Sequence, residues 1–199
     1  MKFQSLMSEL GSVAPPFALP DPAGRIYRME DFAAANALLV AFICNHCPFV
    51  LHILDSFVRL AADFASRGVA TVAISSNDVA THPEDGTRQM AELAQRRDFS
   101  FPYLYDEAQS AAIQFGAVCT PDFFVYDRER RLYYRGQFDG TRPTTEHTRG
   151  RPGAGSQPTG ADMRAALDAL LNGKAAPAEQ RPSMGCSMKW KPGNEPEWG

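Results

Sequence analysis

The chain has 199 residues, of which 44% are hydrophobic and 22% charged, and its formal net charge is -3. This composition is typical of a globular protein, and the length suits one domain with a sizeable core. The weak negative charge gives no general attraction to nucleic acid or to an anionic membrane, so neither is expected as a partner.

Targeting signals are not evident in the sequence. The longest apolar run, residues 37–44, is too short to span a bilayer. The first ten residues lack the apolar segment and small-residue cleavage site of a secretory signal. The 4 cysteines are too few for a disulfide scaffold. We therefore expect a cytoplasmic protein.

Apolar periodicity predicts a β-hairpin and then a βαβ unit in the first half of the chain. Two continuously apolar runs are typical of strands buried on both faces, and the amphipathic stretch between them predicts a crossover helix. Such a unit is right-handed, with parallel strands. The predicted elements are hairpin strands at 17–19 and 25–27, a short helix at 29–35, a strand at 37–43, a helix from Pro48 to near Gly68, and a strand at 69–74.

The second half predicts an antiparallel hairpin and a closing helix. Together with the first half, this order indicates an α/β fold with a mixed central β-sheet flanked by helices. The predicted elements are helices at 84–97 and 107–115, a strand at 103–105, hairpin strands at 123–126 and 132–134, a long surface loop at 139–160, and a helix at 161–171.

These elements define the expected domain organisation. Residues 1–12 are predicted to be an N-terminal arm, residues 13–173 a single domain, and residues 174–199 a C-terminal tail. The tail is rich in Pro, Gly and charge, and its large apolar anchors are Trp190 and Trp198.

The chemistry is predicted at the first strand–helix junction, where Cys44-Asn45-His46-Cys47 follows a buried strand and opens a helix. Two cysteines at this spacing beside a βαβ pattern indicate dithiol–disulfide chemistry. The unpaired N–H groups and the positive end of the helix favour a thiolate, which is the reactive form of cysteine. Protonated His46 would add to this effect. A zinc site is less well supported, because no second Cys-x-x-Cys or His-x-x-x-His completes it. We therefore expect no metal and no cofactor.

Pro48 leaves two arrangements of the cysteines open. Proline at the first helical position would make Cys47 the N-cap and leave Cys44 in the preceding turn. Alternatively, Cys44 is the cap and Pro48 kinks the first turn. The greater exposure expected of the more N-terminal cysteine favours Cys44 as the attacking sulfur and Cys47 as the resolving one.

Three segments resemble the thioredoxin-like superfamily, and within it the peroxiredoxin-like redoxins of the alkyl hydroperoxide reductase and thiol-specific antioxidant group that carry Cys-x-x-Cys. The resemblance covers roughly residues 13–172. Its segments are Val13-Ala14-Pro15-Pro16-Phe17, Cys44-Asn45-His46-Cys47-Pro48-Phe49-Val50 and Cys119-Thr120-Pro121-Asp122.

The resemblance implies a thioredoxin-like fold in which Thr120-Pro121 faces the two cysteines, with Pro121 cis. It implies that Thr120 offers backbone groups to an extended substrate. The chain also departs from both parent patterns. Leu38 stands where thioredoxins keep a buried Asp. Cys44 replaces the threonine of the peroxiredoxin Thr-x-x-Cys, and Thr120-Pro121 stands where their arginine is expected.

These departures favour a thiol–disulfide oxidoreductase acting through a mixed disulfide, with protein or small-molecule disulfides as substrates. One alternative is a peroxiredoxin-like thiol peroxidase in which Cys47 attacks peroxide. Another is a zinc- or copper-binding module. Cys186 is a candidate third redox cysteine, if the tail reaches the junction, or else an incidental thiol. Cys119 points either at the redox centre or into the sheet.

Overall fold

The computed structural model describes residues 2–5, 7–146 and 148–196. Trp198, predicted to anchor the tail, lies outside the described residues. Within them, no helix is long and apolar enough to cross a membrane.

A mixed sheet of five strands forms the centre of the molecule. The strands are β4 (Ala37–Phe42), β5 (Val69–Ser75), β6 (Tyr103–Tyr105), β8 (Asp122–Tyr126) and β9 (Leu132–Arg135). Their spatial order is β6-β5-β4-β8-β9. The pairs β4–β5 and β5–β6 are parallel, whereas β4–β8 and β8–β9 are antiparallel. The predicted βαβ unit and second hairpin are therefore confirmed.

Helices cover both faces of this sheet. Every residue of β4 is buried, and alternate side chains enter two separate hydrophobic cores. The helices are α1 (Pro48–Ala65), α2 (Thr87–Arg96), α3 (Ser110–Phe115) and α4 (Ala161–Leu171). Leu39 and Ala41 face the core built with α1, α2 and α4. Leu38, Val40 and Phe42 face the core that holds α3 and the N-terminal hairpin.

Three predicted helices are shorter than expected. The helix predicted at 107–115 begins at Ser110, because Gln109 is left-handed (φ 61°, ψ 15°). The segment predicted as a helix at 29–35 is a 3-10 turn at Met29–Phe32. The helix predicted from residue 84 begins at Thr87, because Gly86 is extended (φ -65°, ψ 161°) and separates it from a 3-10 turn at Pro83–Asp85. That turn positions a buried carboxylate at the candidate site.

Two small sheets complete the fold. The predicted N-terminal hairpin is present as β2 (Ala18–Pro20) and β3 (Ile26–Arg28). The other sheet joins β1 (Lys2–Gln4), β10 (Met184–Ser187) and β7 (Cys119–Thr120), with β10 in the middle. The predicted arm and tail thus each supply a strand, while the domain boundaries themselves stay a prediction.

Candidate active site

The Cys-x-x-Cys segment connects β4 to α1. Cys47 is the N-cap of α1 with extended backbone (φ -65°, ψ 123°), and Pro48 occupies the first turn. Cys44 lies in the preceding turn. This is the arrangement that a proline at the first helical position predicts, with Cys47 as the N-cap. Both side chains are buried, with Cys44 1% exposed and Cys47 0% exposed. The expected difference in exposure between them is not observed.

Thr120 contacts both sulfurs. The Sγ of Cys44 lies 3.3 Å from the Thr120 hydroxyl, and the Sγ of Cys47 lies 3.2 Å from the Thr120 carbonyl oxygen, to which a thiol can donate. The Thr120–Pro121 peptide bond is cis. The structure therefore brings Thr120 and Pro121 to the cysteines, as the resemblance implied.

Strand β10 brings a third cysteine to the same place. In the antiparallel pairing of β10 with β7, Cys186 lies opposite Thr120. The side chain of Cys186 is half-buried and packs against the core that contains Cys44 and Cys47. Gly185 permits this approach, since a Cβ at that position would lie 2.0 Å from the Thr120 carbonyl oxygen. Cys186 reaches the junction in an ordered strand and not at the end of a flexible tail.

The three sulfurs differ in acidity. Hydrogen bonds from Cys186 and then from Cys44 lower the pKa of Cys47 far below its usual value, against the effect of burial, and the Val50 N–H lowers it further. The hydrogen bond to Cys47, burial and the charge of Asp85 raise the pKa of Cys44. The hydrogen bond to Cys47 and burial likewise raise the pKa of Cys186. In the dithiol form, Cys47 is thus the favoured thiolate.

His46 is paired with a carboxylate that the sequence analysis missed. Its Nδ1 lies 2.8 Å from Oδ2 of Asp85, whose side chain has no exposed surface. The hydrogen bond to Asp85 raises the pKa of His46, despite partial burial. Burial by itself would raise the pKa of Asp85, but hydrogen bonds from His46, Asn77 and the Asn45 N–H outweigh it and lower that pKa. The imidazole ring also stacks on His82, with centroids 5.2 Å apart.

Cys44, His46 and Asp85 also form a group with metal-ligating atoms. One donor atom from each lies within 4.8 Å of the others. The oxygens of Asp85 already accept hydrogen bonds from Asn45 and Asn77, however. A bound cation would have to compete with these contacts and with the His46–Asp85 ion pair.

Cys119 lies apart from the sulfur contacts described above. It is fully buried, its Sγ lies 3.7 Å from the Pro121 carbonyl oxygen, and burial raises its pKa well above the usual value. In the described part of the chain, no hydrogen bond lowers the pKa of Cys119, whereas the Thr120 hydroxyl lowers that of Cys44. These features support the prediction that Cys119 points into the sheet, where it has a packing role.

Arg135 is the fully buried cation of this region, 1% exposed in its side chain. Its guanidinium donates to the Gly116 carbonyl at 2.6 Å, to Asp122 at 3.3 Å and to the Ser8 hydroxyl. It also lies over the Phe124 ring, 4.5 Å from the centroid. Arg135 therefore links β8, β9 and the N-terminal arm through its two terminal nitrogens, while its buried Nε has no hydrogen-bond partner among the described residues.

Comparisons with known proteins agree with this geometry. The model of the AhpC/TSA family matches residues 10–135, which is more than half of the chain. The comparison with curated proteins found no match.

Three solved structures illustrate the likeness. A hypothetical protein, SMc02350, from Sinorhizobium meliloti is 47% identical with a TM-score of 0.87, covering 96% of this chain and 99% of that one. An uncharacterized conserved protein from Geobacillus kaustophilus is 47% identical with a TM-score of 0.89, covering 96% of this chain and 97% of that one. The peroxidoxin BcpB from Mycobacterium tuberculosis is 23% identical with a TM-score of 0.58, covering 84% of this chain and 98% of that one, and this likeness shows the fold.

The fold is thioredoxin-like, with Cys44 and Cys47 at the junction of β4 and α1. Together with the match over residues 10–135, this shows that the chain belongs to the AhpC/TSA family.

Proposed function

We propose that the protein is a thiol–disulfide oxidoreductase in which Cys44 and Cys47 alternate between dithiol and disulfide. One observation carries the proposal: Thr120 contacts both sulfurs, with its hydroxyl 3.3 Å from Cys44 and its carbonyl oxygen 3.2 Å from Cys47. Neighbouring sulfurs, one of which has a lowered pKa, are suited to forming a disulfide by thiolate attack.

Cys44 is the attacking sulfur in this proposal. Cys47 is enclosed between Cys44 and Cys186, whereas Cys44 faces the Thr120 hydroxyl and the His46–Asp85 pair. The proton of Cys44 passes to Cys47 along their hydrogen bond, which leaves the Cys44 thiolate free to attack. The Thr120 hydroxyl stabilises that thiolate because it lowers the pKa of Cys44.

The reaction then has two steps. The Cys44 thiolate attacks a substrate disulfide, a mixed disulfide forms, and the first substrate sulfur leaves as a thiolate that accepts a proton from His46 or solvent. Cys47 gives up its proton and attacks the Sγ of Cys44. The Cys44–Cys47 bond forms, the mixed disulfide breaks, and the second substrate thiolate takes that proton. The substrate gains two electrons and the protein loses two.

Trapping of the mixed disulfide tests this order. The Cys47→Ser variant incubated with oxidised glutathione should retain one glutathione on Cys44, because no resolving sulfur is left beside it. The matched Cys44→Ser variant lacks the attacking sulfur and should carry no adduct at that position. Mass spectrometry of the intact protein and its peptides makes the comparison. Failure of Cys47→Ser to form a Cys44 adduct would contradict the proposal.

A thiol peroxidase is the second candidate, favoured by the lowered pKa of Cys47. In that function the Cys47 thiolate attacks peroxide directly. The terminal nitrogens of Arg135 donate to Gly116, Asp122 and Ser8, and its Nε is buried without a hydrogen-bond partner among the described residues. Peroxide would therefore have to compete with these contacts for stabilisation of its transition state by the guanidinium. Rapid consumption of hydrogen peroxide that survives Cys44→Ser but not Cys47→Ser would establish the peroxidase instead.

A further inference from the structure

The edge of β7 beside the two cysteines is already paired. Cys186 lies opposite Thr120 and Ser187 opposite Cys119, and the Met188 N–H donates to the Val118 carbonyl at 3.0 Å. An open strand edge of this kind recruits an extended peptide through main-chain hydrogen bonds. In this chain the C-terminal strand β10 occupies the edge, and its other side is paired with β1. An extended substrate can pair with this edge of β7 only if β10 leaves.

The occupying strand also presents a nucleophile. Cys186 is the β10 residue opposite Thr120, whose carbonyl oxygen lies 3.2 Å from the Cys47 sulfur. The side chain packs against the same core as Cys44 and Cys47, yet it is half-buried where they are fully buried. Cys186 is therefore the most accessible of the three sulfurs.

Oxidation of the Cys44–Cys47 pair would change the state of Cys186. In the dithiol form, the hydrogen bond to Cys47 is the largest cause that raises the pKa of Cys186, and the charge of Cys47 also contributes. Both causes disappear once Cys47 is in a disulfide and carries no charge. Lys189 lowers the pKa of Cys186 and remains in place. Formation of the first disulfide thus favours a Cys186 thiolate next to an electrophilic sulfur.

We propose that β10 is a built-in occupant of the substrate edge and that Cys186 is a third redox cysteine, which moves the disulfide from Cys44–Cys47 to Cys47–Cys186. The Cys186 thiolate attacks the Sγ of Cys47, the Cys47–Cys186 bond forms, and the Cys44–Cys47 bond breaks. Cys44 leaves as a thiolate and takes up the proton that Cys186 released. No electrons enter or leave in this exchange.

This inference rests on the proposed function, because the substrate disulfide supplies the oxidising equivalents for the first bond. Its consequence is a separation of roles. Cys44 receives the disulfide, Cys47 transfers it, and the half-buried Cys186 presents it to a reductant such as glutathione or a protein dithiol.

Disulfide mapping tests the transfer. The full chain and its variants are equilibrated in glutathione buffers across a range of potentials, quenched with acid, alkylated and digested with trypsin. Cys44 and Cys47 fall in one tryptic peptide and Cys186 in another, so a Cys47–Cys186 bond links two peptides. We expect this link in the wild type and, in larger yield, in Cys44→Ser. It should be lost in Cys47→Ser and in Cys186→Ser, while Cys119→Ser should behave as the wild type.

The outcomes separate the two proposals. If the Cys44–Cys47 disulfide forms but linked peptides are missing in both the wild type and Cys44→Ser, the transfer is overturned and the oxidoreductase stands. If no disulfide forms among the three cysteines, both proposals fail. The Cys44→Ser variant keeps every residue of β10, so the test does not depend on the folding of a Cys186 variant.

Discussion

The Nδ1 of His46 lies 2.8 Å from Oδ2 of the fully buried Asp85, next to the Cys-x-x-Cys segment. The carboxylate is held in turn by Asn77 and by the backbone N–H of Asn45. This network fixes the imidazole over the redox centre and keeps it protonated to a higher pH than an isolated histidine.

Replacement of Asp85 should therefore lower the pKa of His46. The hydrogen bond and charge of Asp85 both raise that pKa, and Asp85→Asn removes the charge while conserving shape. NMR titration of the histidine ring protons measures the effect. Glu84→Gln is the matched control, since exposed Glu84 lies 3.8 Å from Nδ1 and makes a smaller contribution. An unchanged His46 pKa in Asp85→Asn would contradict the assigned pairing.

The same pair predicts a pH dependence of stability. The folded-state pKa of His46 is raised, so its contribution is fully present below the unfolded pKa of about 6.5 and is lost as pH rises through the folded pKa. The pKa of Asp85 is lowered, so its contribution is lost as pH falls through the folded pKa. Urea unfolding of the wild type should show both declines, and both should be smaller in Asp85→Asn.

Removal of the Thr120 hydroxyl should slow the reaction of Cys44. This hydroxyl lies 3.3 Å from the sulfur and lowers its pKa. Loss of one such hydrogen bond in Thr120→Val should reduce the rate of oxidation by oxidised glutathione about two- to tenfold, equivalent to about 0.5–1.5 kcal/mol. Thr120→Ser restores the hydroxyl and should recover most of the rate. Equal rates for the Val and Ser variants would show that the hydroxyl has no role.

A side chain at position 185 should destabilise the docking of β10. The added Cβ of Gly185→Ala would lie 2.0 Å from the Thr120 carbonyl oxygen, and the backbone must shift. Overpacking of this kind lowers the free energy of unfolding by about 1–3 kcal/mol. Gly140→Ala is the control, because a Cβ there meets nothing within 4 Å. Chemical denaturation should separate the two variants clearly, and equal stabilities would argue against close contact of β10 with β7.

The aromatic cluster around Phe57 should dominate the stability of the core between α1 and the central sheet. Phe57 is 1% exposed, and its ring centroid lies 5.3 Å from that of Phe101 and 5.6 Å from that of Phe123. Phe57→Ala should cost about 3–5 kcal/mol in the free energy of unfolding. Leu51→Ala, on the exposed face of the same helix, should change it by less than about 0.5 kcal/mol. Thermal or urea unfolding compares the two variants.

The strand–helix junction that carries the two cysteines was predictable because its signals are local. The apolar run that forms β4, the proline in the first turn of α1 and the cysteine spacing between them all lie within a short stretch of sequence. The position of the Thr120-Pro121 loop opposite the cysteines was predicted from a family resemblance. The residues alone do not predict it, because the contact with the cysteines is made only by the fold.

The parts that were missed depend on contacts between distant segments. Asp85 is one acidic residue in a polar loop, and only the turn at Pro83–Asp85 buries it against His46. Strand β10 has few apolar residues and pairs with strands from two distant parts of the chain. The signal that was available is the pair Gly185-Cys186, a residue without a side chain beside a thiol, where backbone approaches backbone closely.

The most direct test of the redox centre is an equilibrium titration of Cys186→Ser beside the wild type in glutathione buffers, with alkylated thiols counted by mass at each potential. In Cys186→Ser the account predicts one two-electron transition in which Cys44 and Cys47 lose their reactivity together while Cys119 is unaffected. If no Cys44–Cys47 disulfide forms at any potential, the sulfurs do not exchange electrons as a pair and the proposed oxidoreductase is contradicted.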